Sequence, residues 1–171
     1  MRMGVLTVSD RASRGEYEDL SGPLLARLLR ERFAAGLVET AVVPDDRATI
    51  AVRLRDWCDH LELALVLTTG GTGFAPRDVT PEATTDVIER EAPGLAEAMR
   101  AAGLAKTPHA MLSRARAGIR RRTLIVNLPG SPKAASENLE TILPVLRHAI
   151  ELVRGEAGAD QRHEYRWPST E

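Results

Sequence analysis

The chain has 171 residues, 43% hydrophobic and 27% charged, with 23 Lys and Arg against 24 Asp and Glu for a net charge of −1. This suits one soluble domain with its own core and excludes nucleic-acid binding by general electrostatics, because no global positive field exists to collect phosphates. Aromatic residues at 4% leave no base-stacking platform, and a single cysteine, Cys58, excludes an intrachain disulfide. Met1 leads straight into a short strand-like run, with no signal-type apolar region and no stretch long enough to cross a bilayer. The expectation is a cytoplasmic protein with no membrane contact.

Gly4 to Val8 reads as a first apolar strand, and Ser9 to Gly15 as a polar loop leaving its carboxyl end. In doubly wound sheets ligands sit beyond the carboxyl ends of strands, so Ser9, Asp10, Ser13 and the nearby arginines either hold phosphate or form a solvated loop. Ser21-Gly22-Pro23 opens a helix with Leu20, Leu24, Leu25, Leu28 and Phe33 at helical spacing, and Gly36 ends it. Leu37 to Val43 is a second strand. A helix from Ala48 to His60 follows, with Ile50, Leu54, Trp57 and Leu61 on one face and Asp46 placed to cap it. Asp45 has no such duty.

Leu63 to Leu67 is a third, buried strand, and it runs into Thr69, Gly70, Gly71, Thr72 and Gly73, then Arg77 and Asp78. Thr80-Pro81-Glu82 announces a helix through a hydroxyl cap, a first-turn proline and an acid. A strand passing through three glycines into a helix suits an anion, since backbone N–H groups can approach it closely and hydroxyls add donors. The spacing is neither GxxxxGK[ST] nor GxGxxG. A tight turn needing only unusual dihedrals is the plainer alternative, and the acid beside it points to a metal or a donor group.

Glu82 to Glu91 reads as helical, Ala92-Pro93-Gly94 as an interruption, and Leu95 to Leu104 as a helix with Met99 and Leu104 inward. Thr107-Pro108-His109 breaks the chain again. Two short strands meet around Arg120-Arg121-Arg122, the second continuing as Thr123 to Leu128. Arg114, Arg116 and the arginine run either reach ligand phosphates or guard a solvated hairpin edge. Asn127, Pro129, Gly130 and Ser131 form a second strand–glycine turn, with Ser131 capping the next helix and Pro132 starting it. Lys133 opposes the helix dipole there, serving either a ligand phosphate or a surface ion pair. Leu139 to Leu152 is helical, with Pro144 kinking it or starting a second helix. A tail from Gly155 to Glu171 reads as loosely ordered, with Tyr165 and Trp167 able to dock it locally, leaving residues 1–154 as the domain. Strand–helix alternation along the chain predicts an α/β fold with a mostly parallel central sheet covered by helices on both faces. His60, His109, His148 and His163 lack metal-ligand spacing, and no serine sits in a nucleophile elbow.

TTGGTG at residues 68–73, Arg77-Asp78-Val79-Thr80-Pro81 and Asn127-Leu128-Pro129-Gly130-Ser131-Pro132 closely resemble the molybdenum cofactor biosynthesis family. Val8-Ser9-Asp10-Arg11-Ala12-Ser13 and Val43-Pro44-Asp45-Asp46 match as well, and the resemblance covers about residues 4 to 153. The family includes the bacterial Mog and MoaB proteins and the matching domain of gephyrin. The resemblance implies a three-layer α/β/α molybdopterin-binding fold and, for the Mog type, Mg²⁺- and ATP-dependent adenylylation of molybdopterin with release of pyrophosphate. It implies acidic reaction positions at Asp45 and Asp78, read here as Mg²⁺ ligands. It further implies pterin or nucleotide contacts at Ser9, Asp10, Ser13, Thr69, Gly70, Gly71, Thr72, Gly73, Asn127, Pro129, Gly130, Ser131 and Lys133. A homotrimer, or a hexamer for the MoaB type, and other cofactor-biosynthesis proteins as partners belong to the same implication. A MoaB-type protein that binds molybdopterin without turnover is the alternative, and a later metal-insertion step is a weaker one.

Overall fold

The computed structural model describes residues 1–33 and 35–161. Six strands make one mixed sheet in the order β2-β1-β3-β6-β5-β4, from β1 (Arg2–Val8), β2 (Leu37–Val43), β3 (Leu65–Thr69), β4 (Arg90–Glu91), β5 (Ala117–Arg120) and β6 (Thr123–Leu128). The first four positions are parallel, with Val5 facing Thr40 and Leu67, and Leu67 facing Val126. The last two are antiparallel: β5 folds back on β6 and carries β4 at the margin.

The pleat sends alternate residues to opposite faces, and each face has its own apolar cluster. Val5, Leu65, Leu67, Leu124, Val126 and Leu128 pack with α2 (Ser21–Phe33), α5 (Pro93–Leu104) and α6 (Pro132–Arg154). Leu6, Val8, Val66 and Ile125 pack on the other side with α3 (Arg47–Asp59) and α4 (Thr80–Thr85). The result is the three-layer α/β/α arrangement expected. Parallel strands buried on both faces need near-continuous apolar sequence, and every residue of β3 and β6 is buried.

Several local expectations change. In α2, Leu29 takes the buried place expected of Leu20, which precedes the helix and is exposed. The helix expected over Glu82 to Glu91 stops at Thr85. Glu89 N–H donates to Ile119 O and Ala92 N–H to Ala117 O, drawing Arg90–Glu91 into the sheet as β4. Met99 is buried as expected, but Leu104 ends α5 exposed. Thr80 lies inside α4 rather than capping it; its hydroxyl donates to Gly70 O at 2.9 Å. Ser131 holds the N-cap position of α6 but its hydroxyl makes no capping bond. Pro144, exposed, neither breaks nor restarts α6, which runs 23 residues. Asp46 caps α3 as expected, Oδ1 accepting from Thr49 N–H at 2.8 Å. Gly155, expected to begin a loose tail, instead caps α6 at φ 63°, and a 3-10 turn at Ala159–Gln161 follows with Ala159 buried. The rest of that tail, with His163, Tyr165 and Trp167, lies outside the described residues.

Candidate functional site

Four strand ends meet at the carboxyl edge of the parallel half. Ser9 N–H donates to Val43 O at 2.9 Å, Gly70 N–H to Leu128 O at 3.2 Å, and Thr69 Oγ1 to Pro129 O at 2.8 Å. Here the backbones touch. Gly70, at φ 101°, lies so close to Val8 O that a Cβ would overlap it, and Gly71, at φ 63°, faces Thr80 Oγ1 and Asp45 Oδ1. Both dihedrals belong to the left-handed half of the map, where glycine alone is at ease. Gly70 and Gly71 therefore form a side-chain-free floor.

The two acids come to this floor from different loops. Asp45 Oδ1 lies 3.0 Å from where a Gly71 Cβ would stand, and Asp78 Oδ2 lies 2.9 Å from the equivalent point on Gly73. Asp78 Oδ2 also accepts from Ala75 N–H at 2.9 Å. Burial pushes the Asp45 carboxyl above its ordinary value; the Asp10 N–H opposes this, while the negative charges of Asp10 and Asp78 add to it. A half-buried carboxylate with a like charge nearby calls for a cation or a donor. Asp10 is the opposite case, its carboxyl held low chiefly by the Arg77 guanidinium.

Two clefts flank the floor. The larger, about 480 Å³, is lined by Gly71, Thr72, Gly73, Asp78, Pro129 and Gly130, with a wall from α5, the 3-10 turn Pro108–Leu112 and α6. The smaller, about 260 Å³, is lined by Ser9, Thr69, Gly70 and Gly130 with Asp19 and Tyr17. Ser9 caps the four-residue α1 (Asp10–Ser13) by accepting from Ala12 N–H, and Ser13 donates to Asp10 O. Ser13, Ser131 and Lys133 are exposed and belong to neither lining. Asn127 departs from expectation. It is fully buried: Nδ2 donates to Thr68 Oγ1 at 3.0 Å and to Thr84 Oγ1 at 2.8 Å, and Oδ1 accepts from Arg116 N–H. Its side chain is a buttress beneath the floor, not a surface for a ligand.

The wall is what sequence reading misses. Lys106, His109, Leu112 and Ser113 enter the larger cleft from a segment recognisable only as a break. Arg114, half-buried, is not the exposed hairpin residue its sequence position suggests. It is a strap: Nε donates to Gly73 O at 2.7 Å, Nη2 to Asp78 O at 2.6 Å and Nη1 to Glu82, binding the glycine loop to the wall. Arg120 is likewise engaged, with Asp59 at 2.6 and 2.9 Å. Cys58 is buried, and burial pushes its thiol up to about 11, far from a working nucleophile. Among the described residues no three His, Cys, Asp or Glu side chains gather as a self-sufficient metal site.

A mixed sheet whose parallel strand ends supply a glycine floor, hydroxyls and two acids defines a three-layer α/β protein with polar clefts at the carboxyl edge of its sheet. More specifically, a family model described as a probable molybdopterin binding domain matches residues 4–148, and the chain belongs to that family. It is 46% identical over 156 residues to the molybdopterin adenylyltransferase of Helicobacter pylori, covering 91% of this chain and 89% of that one. It is 48% identical over 150 residues to the molybdenum cofactor synthesis protein cinnamon of Drosophila melanogaster, covering 88% of this chain but only 25% of the fly protein. Among solved structures it is similar to the molybdopterin biosynthesis enzyme MoaB of Thermus thermophilus, with TM-score 0.80, 53% identity and 91% and 97% of the two chains covered. It is also similar to the Mog protein of Mycobacterium ulcerans, with TM-score 0.83, 39% identity and 88% and 97% covered.

Proposed function

We propose that the chain is a molybdopterin adenylyltransferase that joins the pterin's terminal phosphate to the α-phosphate of ATP. The observation that carries this is the convergence of Asp45 and Asp78 on the glycine floor between two clefts, in a chain 46% identical to an enzyme of that name over nine-tenths of its length. In the reaction a pterin phosphate oxygen forms a bond to the α-phosphorus, and the bond from that phosphorus to the β-bridging oxygen breaks, releasing pyrophosphate. A phosphate monoester with its second pKa near about 6 is already anionic at neutral pH, so no general base is required. The protein must bring two polyanions together.

The residues present fit a Mg²⁺ ion. One or two carboxylates completed by substrate phosphates is its usual protein environment, and the raised, repelled Asp45 carboxyl is relieved by a cation. Asp45 and Asp78 would hold it, and it would supply charge neutralisation at the phosphates. The chain's own part is positioning. The Gly71–Gly73 backbone lets phosphate oxygens lie against main-chain N–H groups, and Ser9 and Thr72 offer hydroxyls. In this reading residues 1–154 are the functional unit, working in the cytoplasm as a homotrimer or hexamer.

The test is to mix the purified chain with molybdopterin, ATP and Mg²⁺ and assay adenylylated pterin and pyrophosphate. Product that disappears in EDTA and in Asp78→Ala, with pterin binding retained, is the expected result. The 53% identity to a structure named MoaB favours a second reading, a pterin-binding protein without turnover. Tight pterin binding with no product would establish it. Equal loss of binding and turnover in Asp78→Ala would sink the role given to that acid.

A further inference from the structure

The loops after the first three strands are joined by one run of polar bonds that the phosphoryl chemistry does not itself demand. Asp10 follows β1, Asp45 follows β2 and Arg77 lies in the loop after β3. Asp45 Oδ2 accepts from the Asp10 main-chain N–H at 2.7 Å, and Asp10 Oδ1 accepts from the Asp45 N–H at 3.1 Å. Arg77 grips the same Asp10 carboxylate with both arms of its fork, Nη2 to Oδ1 at 2.9 Å and Nε to Oδ2 at 3.0 Å. Asp45 therefore cannot turn without opening the Asp10 loop, and that loop cannot open without breaking the fork. A guanidinium fixes direction as well as charge, which an ammonium does not. The pair is also badly placed to be there for folding: the Arg77 side chain is 64% exposed, and exposed pairs contribute little to stability.

We propose that Arg77 is a positioning residue for the acid pair, fixing through Asp10 where Asp45 presents its free oxygen. It has a second effect. Its charge keeps the neighbouring carboxylates of Asp10, Asp45 and Asp78 from gathering a cation in an unproductive place. This rests on the reading that Asp45 and Asp78 hold the Mg²⁺.

The experiment uses the full chain with Arg77→Ala, Arg77→Lys, Asp10→Asn and the double variant Arg77→Ala/Asp10→Asn. Mn²⁺ binding is followed by EPR with no substrate present, kcat and KM for ATP by product assay, and Tm by calorimetry. Arg77→Ala is expected to bind Mn²⁺ several-fold more tightly, because a positive charge is gone and Asp10 is released. Its kcat falls by roughly 10- to 100-fold, as for other groups that orient metal ligands, with KM for ATP and Tm nearly unchanged. Arg77→Lys keeps the Mn²⁺ affinity of the parent but recovers only part of kcat. The double variant returns to the parent's Mn²⁺ affinity and is no slower than the worse single variant, since both changes cut the same fork.

A tenfold rise in KM for ATP in Arg77→Ala that Asp10→Asn does not share overturns the proposal, making the arginine a phosphate contact. Unchanged kcat and Mn²⁺ affinity overturn it in favour of an ordinary surface pair. If the parent chain makes no adenylylated pterin, the functional reading fails separately, and the Mn²⁺ series decides alone. Tightening in Arg77→Ala that reverses in the double variant then supports the positioning role, and equal affinity across the series refutes it.

Discussion

The parallel half of the sheet and its antiparallel margin are held by different forces. In β1, β3 and β6 nearly every side chain is buried between helices, and the strands are fastened by apolar contact on both faces. At the margin β4 is exposed, β5 only half buried, and the fastening passes to arginines: Arg114 to Glu82, Arg116 to Glu91, Arg120 to Asp59 and Glu89. The difference matches a division of labour. The dry half fixes the glycine floor, and the segments that flank the stitched margin supply part of the wall of the larger cleft.

The sharpest way to break this comparison is to cut the two halves equally hard. Leu67→Ala, at a fully buried position of β3, should cost about 2–5 kcal/mol in urea unfolding, the range for large-to-small core changes. Asn127→Ala lies on the seam and should cost about 2–4 kcal/mol, because Thr68, Thr84 and the Arg116 N–H each lose a buried partner. It should also lower turnover more than pterin affinity, since the floor rests on it. A margin ion pair should matter less and respond to pH. The Arg120 hydrogen bond holds the Asp59 carboxyl below its ordinary 3.8, so its stabilisation is present above the unfolded value and lost as pH falls through the lower folded one. The Tm gap between the parent and Asp59→Asn should be widest at neutral pH and close below pH 3.8. Met111→Ser, at an exposed place on the wall, should change stability by less than about 0.5 kcal/mol. A margin variant as costly as Leu67→Ala would end the distinction.

The same division explains what the sequence disclosed. Strands buried on both faces need near-continuous apolar sequence, so Gly4 to Val8, Leu63 to Leu67 and Thr123 to Leu128 could be read directly. The edge strand Leu37 to Val43, buried only at Val38 and Val43, was legible from its β-branched run. The glycine floor and the Asp46 cap were legible because each is a local requirement of dihedral or capping. The margin was not. Asp86 to Glu91 carries charges at helical spacing, yet Ile88 packs over Gly118 and Arg90 and Glu91 form a two-residue strand, which has no period to detect. The clamps were hidden for another reason. Arg77 and Asp10 are 67 residues apart, Arg114 and the Asp78 carbonyl 36, and nothing local marks such partners. Asn127 was found as a motif position, but whether a polar residue faces a ligand or a buried pair of threonines depends on neighbours 59 and 43 residues away.

The contact between Gly70 and the Val8 carbonyl has a consequence for how such a site can change over generations. No single substitution can add a side chain there without pushing two strand ends apart, so the floor is closed to gradual modification. If the proposed function holds, variation that alters the ligand accepted has to enter through the opposite side of the larger cleft, at positions such as Lys106, His109 and Leu112. An engineer seeking new substrates would build a library on that rim and leave the glycines alone.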